Sequence, residues 1–183
     1  MDATTVLASL QDAVPGATFE SVPAVDLHAT IYVPRDHVAA VALALRDRAD
    51  LRYDLLAEIT AVDCQPSEPR FELVYIFVSL EHRRRLRLKV RVPAEDAHVA
   101  TVSGVWPAAN WLEREVWDMF GIVFDGHPDL HRLLMPEDWE GFPLRKDYPV
   151  QIKMTPRTSE PLQVTEEQFR AAIERDRIVR DAV

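Results

Sequence analysis

The feature that most constrains this chain is the stretch of residues 111–149, because it joins a helix-like pattern to a long segment without any period. Three of the four tryptophans lie in it, at positions 111, 117 and 139, and the fourth, Trp106, lies just upstream. No other part of the chain is as dense in aromatic side chains and paired charges. The fold must therefore accommodate one stretch with unusually many large and charged side chains.

The first half of this stretch predicts an amphipathic helix that ends at Gly121. Its apolar side chains recur at helical spacing and form one core-facing stripe, made of Leu112, Val116, Met119 and Phe120. Gly121 can adopt the left-handed conformation that ends a helix. Trp111 and Trp117 fall on opposite sides, outside the stripe, so we expect the helix to be covered on more than one side by this chain or by a partner.

The second half, residues 122–149, predicts an ordered but irregular segment. It contains four prolines and two glycines and follows neither the helical nor the strand period. Irregular segments of this length are uncommon in compact domains and usually are functional or form a contact surface. We expect many hydrogen bonds from side chains to its backbone, and large apolar anchors that a disordered linker would lack. These anchors are Phe124, Leu130, Leu133, Leu134, Met135, Trp139, Phe142, Leu144 and Tyr148.

The other patterns predict an α+β domain with a mostly antiparallel sheet of about four strands and helices packed on one face. Apolar runs predict strands at residues 25–33, 55–62, 71–80 and 83–92, of which the third is apolar on both faces and therefore central. Helical spacing and end signals predict helices at residues 4–14, 36–48 and 95–103, before the one that begins at Trp111.

The domain organisation follows from these elements. We expect a single domain over residues 1–149 and an extended C-terminal arm over residues 150–183, which begins with a polar segment without periodicity. A last helix is predicted from Thr165, because Gln168 three residues later completes a capping box.

Charge and composition exclude several classes of function. A net charge of −9 disfavours nucleic acid as the default partner, since phosphate binding needs clustered positive charge. Cys64 is the only cysteine, so an internal disulfide and a four-thiolate iron–sulfur site are excluded. A run of roughly 18 apolar residues is absent, so we expect no membrane span. The first residues show no export signal, which predicts a reducing compartment such as the cytoplasm.

Three carboxylates of the predicted helix are candidates for acid–base or metal chemistry: Glu113, Glu115 and Asp118. Glu113 and Asp118 point in different directions on a helix, so we favour salt bridges with Arg114 and with basic residues elsewhere. The spacing of Arg114 and Asp118 predicts a pair along the helix surface.

Two histidines, His127 and His131, have the spacing of a metal pair on a helix. Pro128 lies between them, so a regular helix is not expected there, and we favour hydrogen bonds within the irregular segment. A stand-alone metal-dependent hydrolase that uses Glu113, Asp118 and both histidines is the alternative hypothesis.

The strand at residues 83–92 has a basic face, formed by Arg85, Arg87, Lys89 and Arg91. An RNA-binding module is therefore a further hypothesis, although the strand carries no stacking aromatics and the chain has no Gly-rich phosphate loop. We favour an internal role, in which the acidic central helix or an acidic partner lies across this face.

The central stretch resembles the signature of the C subunit family of NADH:quinone oxidoreductase, respiratory complex I. The resemblance covers a long, nearly unbroken run, the order of the upstream elements is also similar, and the tail after residue 149 matches weakly. His131 stands where the family commonly has arginine. The matching residues are Glu113-Arg114-Glu115, Asp118-Met119-Phe120-Gly121-Ile122, Phe124, Gly126-His127-Pro128-Asp129-Leu130, Leu134, Trp139-Glu140-Gly141 and Pro143-Leu144-Arg145-Lys146-Asp147-Tyr148-Pro149.

The resemblance implies a scaffold subunit without catalytic residues or a cofactor of its own, in a complex that holds FMN, iron–sulfur clusters and quinone. It implies the D subunit as the main partner, with the B and I subunits nearby, and a peripheral position on the cytoplasmic side of the cell membrane. The complex would transfer electrons from NADH to quinone and pump protons. Related membrane-bound hydrogenases and ferredoxin-driven dehydrogenases use similar subunits and stay open as alternatives. The residues expected to contact partners or to form the structural signature are Trp111, Glu113, Arg114, Glu115, Trp117, Asp118, Phe120, Gly121, Phe124, His127, Asp129, Trp139, Gly141, Arg145, Lys146, Asp147 and Tyr148.

Overall fold

A computed structural model describes residues 3–26, 28–149 and 165–171 of the chain. Between residues 3 and 125 these residues form three α-helices, seven strands and one 3-10 turn at Arg35–His37. The helices are α1 (Ala3–Ala13), α2 (Val38–Asp47) and α3 (Ala109–Phe120). The strands are β1 (Glu20–Val22), β2 (Ala29–Tyr32), β3 (Leu55–Asp63), β4 (Phe71–Ser79), β5 (Arg84–Val92), β6 (His98–Ala100) and β7 (Val123–Asp125).

The described strands form one five-stranded sheet in the order β1-β2-β5-β4-β3 and a separate pair, β6-β7. All neighbours in the large sheet are antiparallel except β2 and β5. This confirms the predicted α+β class with a mostly antiparallel sheet. Within the large sheet, the strand that the sequence did not predict is β1, whose three residues are too few to show an alternating pattern.

A single apolar core joins the helices to the sheet. Leu10 of α1, Leu45 of α2 and Val116 of α3 belong to the same cluster as Phe77 of β4 and Leu88 of β5. β4 lies inside the sheet, between β5 and β3, as its continuous apolar run predicts. The core therefore lies between the sheet and the helices, and α3 is built into it.

The prediction of a helix at residues 95–103 is wrong. Residues 98–100 instead form β6, which pairs in parallel with β7, with Val99 opposite Phe124. Both side chains are buried, so tertiary pairing overrides the local helical pattern in this short stretch.

The helix α3 ends as its sequence predicts, although it begins at Ala109 rather than at Trp111. Gly121 has a φ of 74°, in the left-handed region, and its N–H donates to the Trp117 carbonyl at 2.8 Å. The chain then enters β7, which the sequence did not predict, before the irregular segment begins at residue 126. This cap sets the direction in which the segment leaves the helix.

Residues 165–171 lie outside the compact unit Met1–Tyr148 and contain the start of the predicted last helix. The Thr165 N–H donates to Gln168 Oε1 at 3.2 Å, and the Gln168 N–H donates to Thr165 Oγ1 at 3.3 Å, which confirms the capping box. The rest of the predicted C-terminal arm, at 150–164 and 172–183, lies outside the described residues, and the domain boundary after residue 149 stays a prediction.

No helix among the described residues combines the length and the apolar character that crossing a lipid bilayer requires.

Candidate interaction surface

Asp118 holds the irregular segment, residues 126–148, against α3. Its buried Oδ2 accepts hydrogen bonds from three consecutive backbone N–H groups, at positions 133, 134 and 135, over 2.7–3.0 Å. Its Oδ1 accepts a bond from Arg132 Nη1 at 2.8 Å. Burial disfavours the charged carboxylate, but these donors outweigh it and lower the pKa of Asp118. Asp118 is thus a structural anion that fixes the backbone of residues 132–135.

Arg132 spreads this attachment further along the segment. Nη1 also donates to the Asp118 carbonyl at 3.0 Å, and Nη2 donates to the Trp139 and Gly141 carbonyls at 2.8 and 3.0 Å. Its guanidinium lies over the rings of Trp117 and Phe142. The predicted hydrogen bonds from side chains to the backbone of the segment are confirmed here.

Arg114 does not pair with Asp118, so the predicted pair along the helix surface is wrong. The Arg114 guanidinium instead donates to the His131 carbonyl at 3.3 Å and to the Arg132 carbonyl at 3.0 Å, and Nη2 lies 2.7 Å from His131 Nε2. It also lies over the Trp111 ring. The segment packs on α3 and offers these partners, and they replace the local pair.

Glu113 is a buried carboxylate inside the domain. It accepts hydrogen bonds from the Val102 N–H at 2.7 Å and from Thr101 Oγ1 at 2.5 Å, which fixes the connection between β6 and α3. Burial raises its pKa to about 7, although both bonds oppose this. Among the described residues, no lysine or arginine forms an ion pair with Glu113, so the expected salt bridge to Arg114 is wrong. Glu115 is exposed on α3.

The two histidines are used separately. His127 Nε2 lies 3.2 Å from the Asn110 carbonyl and 3.9 Å from Glu113 Oε2, and its Nδ1 accepts the Asp129 N–H. His131 lies between Arg114 and Asp129. In the part of the chain that the structure describes, no three His, Cys, Asp or Glu side chains are grouped so that they could hold a metal ion.

The far end of the irregular segment is attached to the β3–β4 hairpin by Asp63 and Arg70, which the sequence did not single out. Buried Asp63 accepts from Arg70 at 3.1 and 2.8 Å and from the Lys146 N–H at 2.8 Å, and Arg70 also binds Asp147 at 2.8 Å. The hydrogen bonds from Arg70 hold the pKa of Asp63 well below its usual range, against the effect of burial. Tyr148 stacks on Trp139 and so closes the segment on itself.

The residues predicted to contact partners fall into two groups. Phe120, Gly121 and Phe124 belong to the domain interior or its helix cap. The second group is exposed or partly exposed and includes Trp111 at 60% and Trp139 at 38%. Leu134 and Leu144, which were not predicted to contact partners, are also exposed, at 56% and 55%. We refer to these four exposed side chains, one on α3 and three on the irregular segment, as the α3 surface.

Three of the four basic side chains on the β5 face are paired with acids of the sheet or of the loop next to it, whereas Arg85 is exposed. Arg87 pairs with Asp26, Lys89 with Glu72 at 2.7 Å and Arg91 with Glu20 at 3.1 Å. The acids come from β1, β4 and the loop before β2, so the expectation that the acidic helix lies across this face is wrong. The cross-strand register places opposite charges side by side instead.

The chain is similar to subunits of respiratory proteins. The model of the family described as "Respiratory-chain NADH dehydrogenase, 30 Kd subunit" matches residues 31–153. The C subunit of NADH-quinone oxidoreductase from Roseiflexus sp. (strain RS-1) is 47% identical over 151 residues, which cover 82% of this chain and 86% of that protein.

Two solved structures are similar as well. A trypsin-resistant fragment of Nqo5 is 33% identical with a TM-score of 0.59, over 71% of this chain and 100% of the fragment. A chain of the membrane-bound sulfane sulfur reductase, an archaeal respiratory membrane complex, is 27% identical with a TM-score of 0.70, over 87% of this chain and 96% of that one.

Proposed function

Because this chain belongs to the family of the 30 kDa subunit of respiratory-chain NADH dehydrogenase, we propose that it is a non-catalytic scaffold subunit of a proton-pumping NADH:quinone oxidoreductase. In this proposal it lies in the peripheral arm, on the cytoplasmic side of the cell membrane, with the D subunit as its main partner and the B and I subunits nearby. Electrons pass from NADH to quinone through FMN and iron–sulfur clusters that other subunits hold.

The observation that carries the docking role is that the irregular segment is held by hydrogen bonds to buried side chains and still exposes large apolar side chains. Leu134 is more than half exposed, yet its own N–H is bound to buried Asp118. A side chain held in this way loses little conformational freedom when a partner covers it. Exposed apolar side chains, with tryptophan among them, are typical of protein interfaces, where a few residues supply most of the affinity.

The buried signature residues are proposed to support the α3 surface by fixing the elements that carry it. Glu113, Arg114, Asp118, Gly121 and His127 hold α3, its cap and the irregular segment in position, and Phe120 and Phe124 anchor them in the core. Contact with partners is assigned to the exposed or partly exposed members, which are Trp111, Glu115, Trp117, Asp129, Trp139, Gly141, Arg145, Lys146, Asp147 and Tyr148.

A related complex is the second candidate function. The similarity to a chain of the sulfane sulfur reductase favours it, since that chain has the same fold in a membrane complex of another type. A subunit of a membrane-bound hydrogenase or a ferredoxin-driven dehydrogenase would use the same docking surface. A metal-dependent hydrolase is not favoured because Asp118 and His131 each interact with an arginine. An RNA-binding module is not favoured because three of the four basic side chains on the β5 face are paired with acids.

The composition of the purified complex tests the proposal. The full chain is tagged in the organism that encodes it, solubilised in mild detergent and purified. We expect the D subunit to co-purify in equal amount, together with the subunits that hold FMN and oxidise NADH. Recovery of the D subunit without the NADH-oxidising subunits would favour the second candidate, and a chain that purifies alone would contradict the docking role.

A pair of matched variants tests which surface docks. Leu134→Ser should reduce the amount of the D subunit recovered several-fold, because it removes an apolar anchor of the α3 surface. Leu80→Ser makes the same change at a leucine that is 67% exposed in the turn after β4, and it should have no effect. Equal losses in both variants, or a loss only in Leu80→Ser, would move the docking surface elsewhere.

A further inference from the structure

Arg145 presents a positive charge that its own surroundings use only in part. Its Nε donates a hydrogen bond of 2.5 Å to the carbonyl of Phe120, which is the last residue of α3. Its guanidinium lies 4.5 Å from the centroid of the Phe142 ring and 5.3 Å from that of the Phe71 ring. Within the described residues, Nη1 and Nη2 donate no hydrogen bond, and no carboxylate oxygen lies within 4.0 Å of the group. The side chain is therefore fixed in place while both terminal nitrogens are available.

The neighbouring arginines differ from Arg145 in this respect. Arg132 gives four hydrogen bonds through its terminal nitrogens, to Asp118 and to two backbone carbonyls. Arg70 binds two carboxylates. Arg132 also lies over the same Phe142 ring as Arg145, so two guanidinium groups share one aromatic side chain although only one of them has a counter-ion.

The nearest acids do not compensate the charge of Arg145. Asp63 and Asp147 both bind Arg70, and Asp63 also accepts the N–H of Lys146. Burial lowers the pKa of Arg145, and the charge of Arg70 acts in the same direction, more than the two aspartates offset. A partly desolvated guanidinium without a counter-ion is unfavourable, and a carboxylate that approached it would remove this cost.

We propose that Arg145 binds the carboxylate of an aspartate or glutamate side chain of the docked partner subunit through Nη1 and Nη2. The inference rests on the proposed docking function and adds the chemistry of one contact. A guanidinium offers two parallel N–H groups that match both carboxylate oxygens. The two phenylalanine rings hold its plane before the partner arrives, and the exposed Leu144 beside it adds an apolar contact at the same place.

Carbodiimide cross-linking of the intact complex tests the contact directly. In an Arg145→Lys variant an amine stands at position 145, and a carbodiimide-activated carboxylate next to it is converted to an amide as the urea leaves. We expect mass spectrometry to find position 145 joined to an aspartate or glutamate of the D subunit. The wild-type complex, which keeps Lys146 but has no amine at 145, gives the background. Links from position 145 only to acids of this chain, those of residues 150–183 included, or no link at all, would overturn the inference.

The strength of the contact is measured as the affinity of the full chain for the rest of the complex at increasing salt. Arg145→Gln should weaken binding by at least roughly tenfold, because it leaves a partner carboxylate unpaired in the interface. Arg85→Gln removes the same charge from an exposed arginine of β5 and should weaken binding less than about twofold. Equal effects of the two variants would overturn the inference.

The failures of the two proposals are distinguishable. If wild type and Arg145→Gln bind the D subunit equally, the carboxylate contact is wrong and the docking function stands. If the wild-type chain does not bind the D subunit, the docking function itself is wrong. Thermal unfolding of each free variant is recorded, since Arg145 also caps α3, and if Arg145→Gln does not fold, the cross-link from Arg145→Lys decides.

Discussion

At the scale of single residues, two buried carboxylates of α3 differ in what surrounds them. Asp118 accepts three backbone N–H groups and a bond from Arg132, which lower its pKa in spite of burial. Glu113 accepts bonds from one N–H and one hydroxyl, and burial raises its pKa to about 7. Helical spacing showed that the two point apart. It could not show this difference, because the donors come from residues 101–102 and 132–135, whose positions depend on tertiary packing.

The raised pKa of Glu113 predicts a pH dependence of stability. Since its folded pKa of about 7 lies above the ordinary value of 4.5, the folded state binds more protons than the unfolded state between these values. The contribution of Glu113 to the free energy of unfolding therefore falls as pH rises through this window, by up to about 3 kcal/mol at 1.36 kcal/mol per pKa unit. Glu113→Gln has no carboxyl group to ionise, so relative to wild type it should gain stability between pH 5 and pH 8.

Urea unfolding of the free chain at several pH values measures this difference. Glu115→Gln removes the same charge from an exposed position of the same helix and should leave the pH dependence unchanged. A difference between Glu113→Gln and wild type that is constant with pH would show that Glu113 does not titrate in this window.

At the scale of elements, the length of each helix or strand decided whether the sequence could predict it. Nine-residue strands such as β4 and β5 carry enough alternation to be recognised, and α3 carries a full apolar stripe and a glycine stop. The strands β1, β6 and β7 have three residues each, too few for a period. The pairing of β6 with β7 also depends on where α3 turns the chain, which no local window contains.

The left-handed cap of α3 predicts graded effects of alanine at three glycines. Gly121 has a φ of 74°, and a Cβ there would lie 2.5 Å from both Arg145 Nη2 and the Phe142 ring. Gly121→Ala should cost about 1–2 kcal/mol for the backbone and about 1–3 kcal/mol more for the displaced segment. Gly16 has a φ of 100° but no neighbour within 4 Å, so Gly16→Ala should cost the backbone term alone.

Gly104 completes the series, because it has neither a positive φ in the strained range nor a neighbour within 4 Å. Gly104→Ala should leave stability nearly unchanged. The three denaturation midpoints are compared in urea. If Gly121→Ala lost no more than Gly16→Ala, the close approach of the irregular segment to the helix end would be wrong.

At the scale of the whole molecule, the sequence identified the region around residues 111–149 but not how it is divided. Trp111 and Trp106 are equally aromatic, yet one is exposed and the other packs on Phe77 in the core. The ion pairs and hydrogen bonds that attach the segment join residues far apart along the chain, such as Arg70 and Asp147, which are 77 positions apart. Neither residue is unusual in its own neighbourhood, so the ion pair is visible only in the folded chain.

The ion pairs of Arg70 with Asp63 and Asp147 predict a large loss of stability in Arg70→Gln. The change leaves the Asp63 side chain, which is 2% exposed, without its cation, and we expect a loss of about 3 kcal/mol at pH 7. Arg48 also bridges two aspartates, but at the surface, where they are 38% and 75% exposed, so Arg48→Gln should cost less than about 1 kcal/mol. Because the pKa of Asp63 is depressed, the stability that the ionised carboxylate adds is present above its unfolded pKa of 3.8 and is lost as pH falls. The difference in free energy of unfolding between Arg70→Gln and wild type, measured in urea, should therefore shrink below roughly pH 4. A difference that stayed constant there would show that the Asp63–Arg70 ion pair does not stabilise the fold.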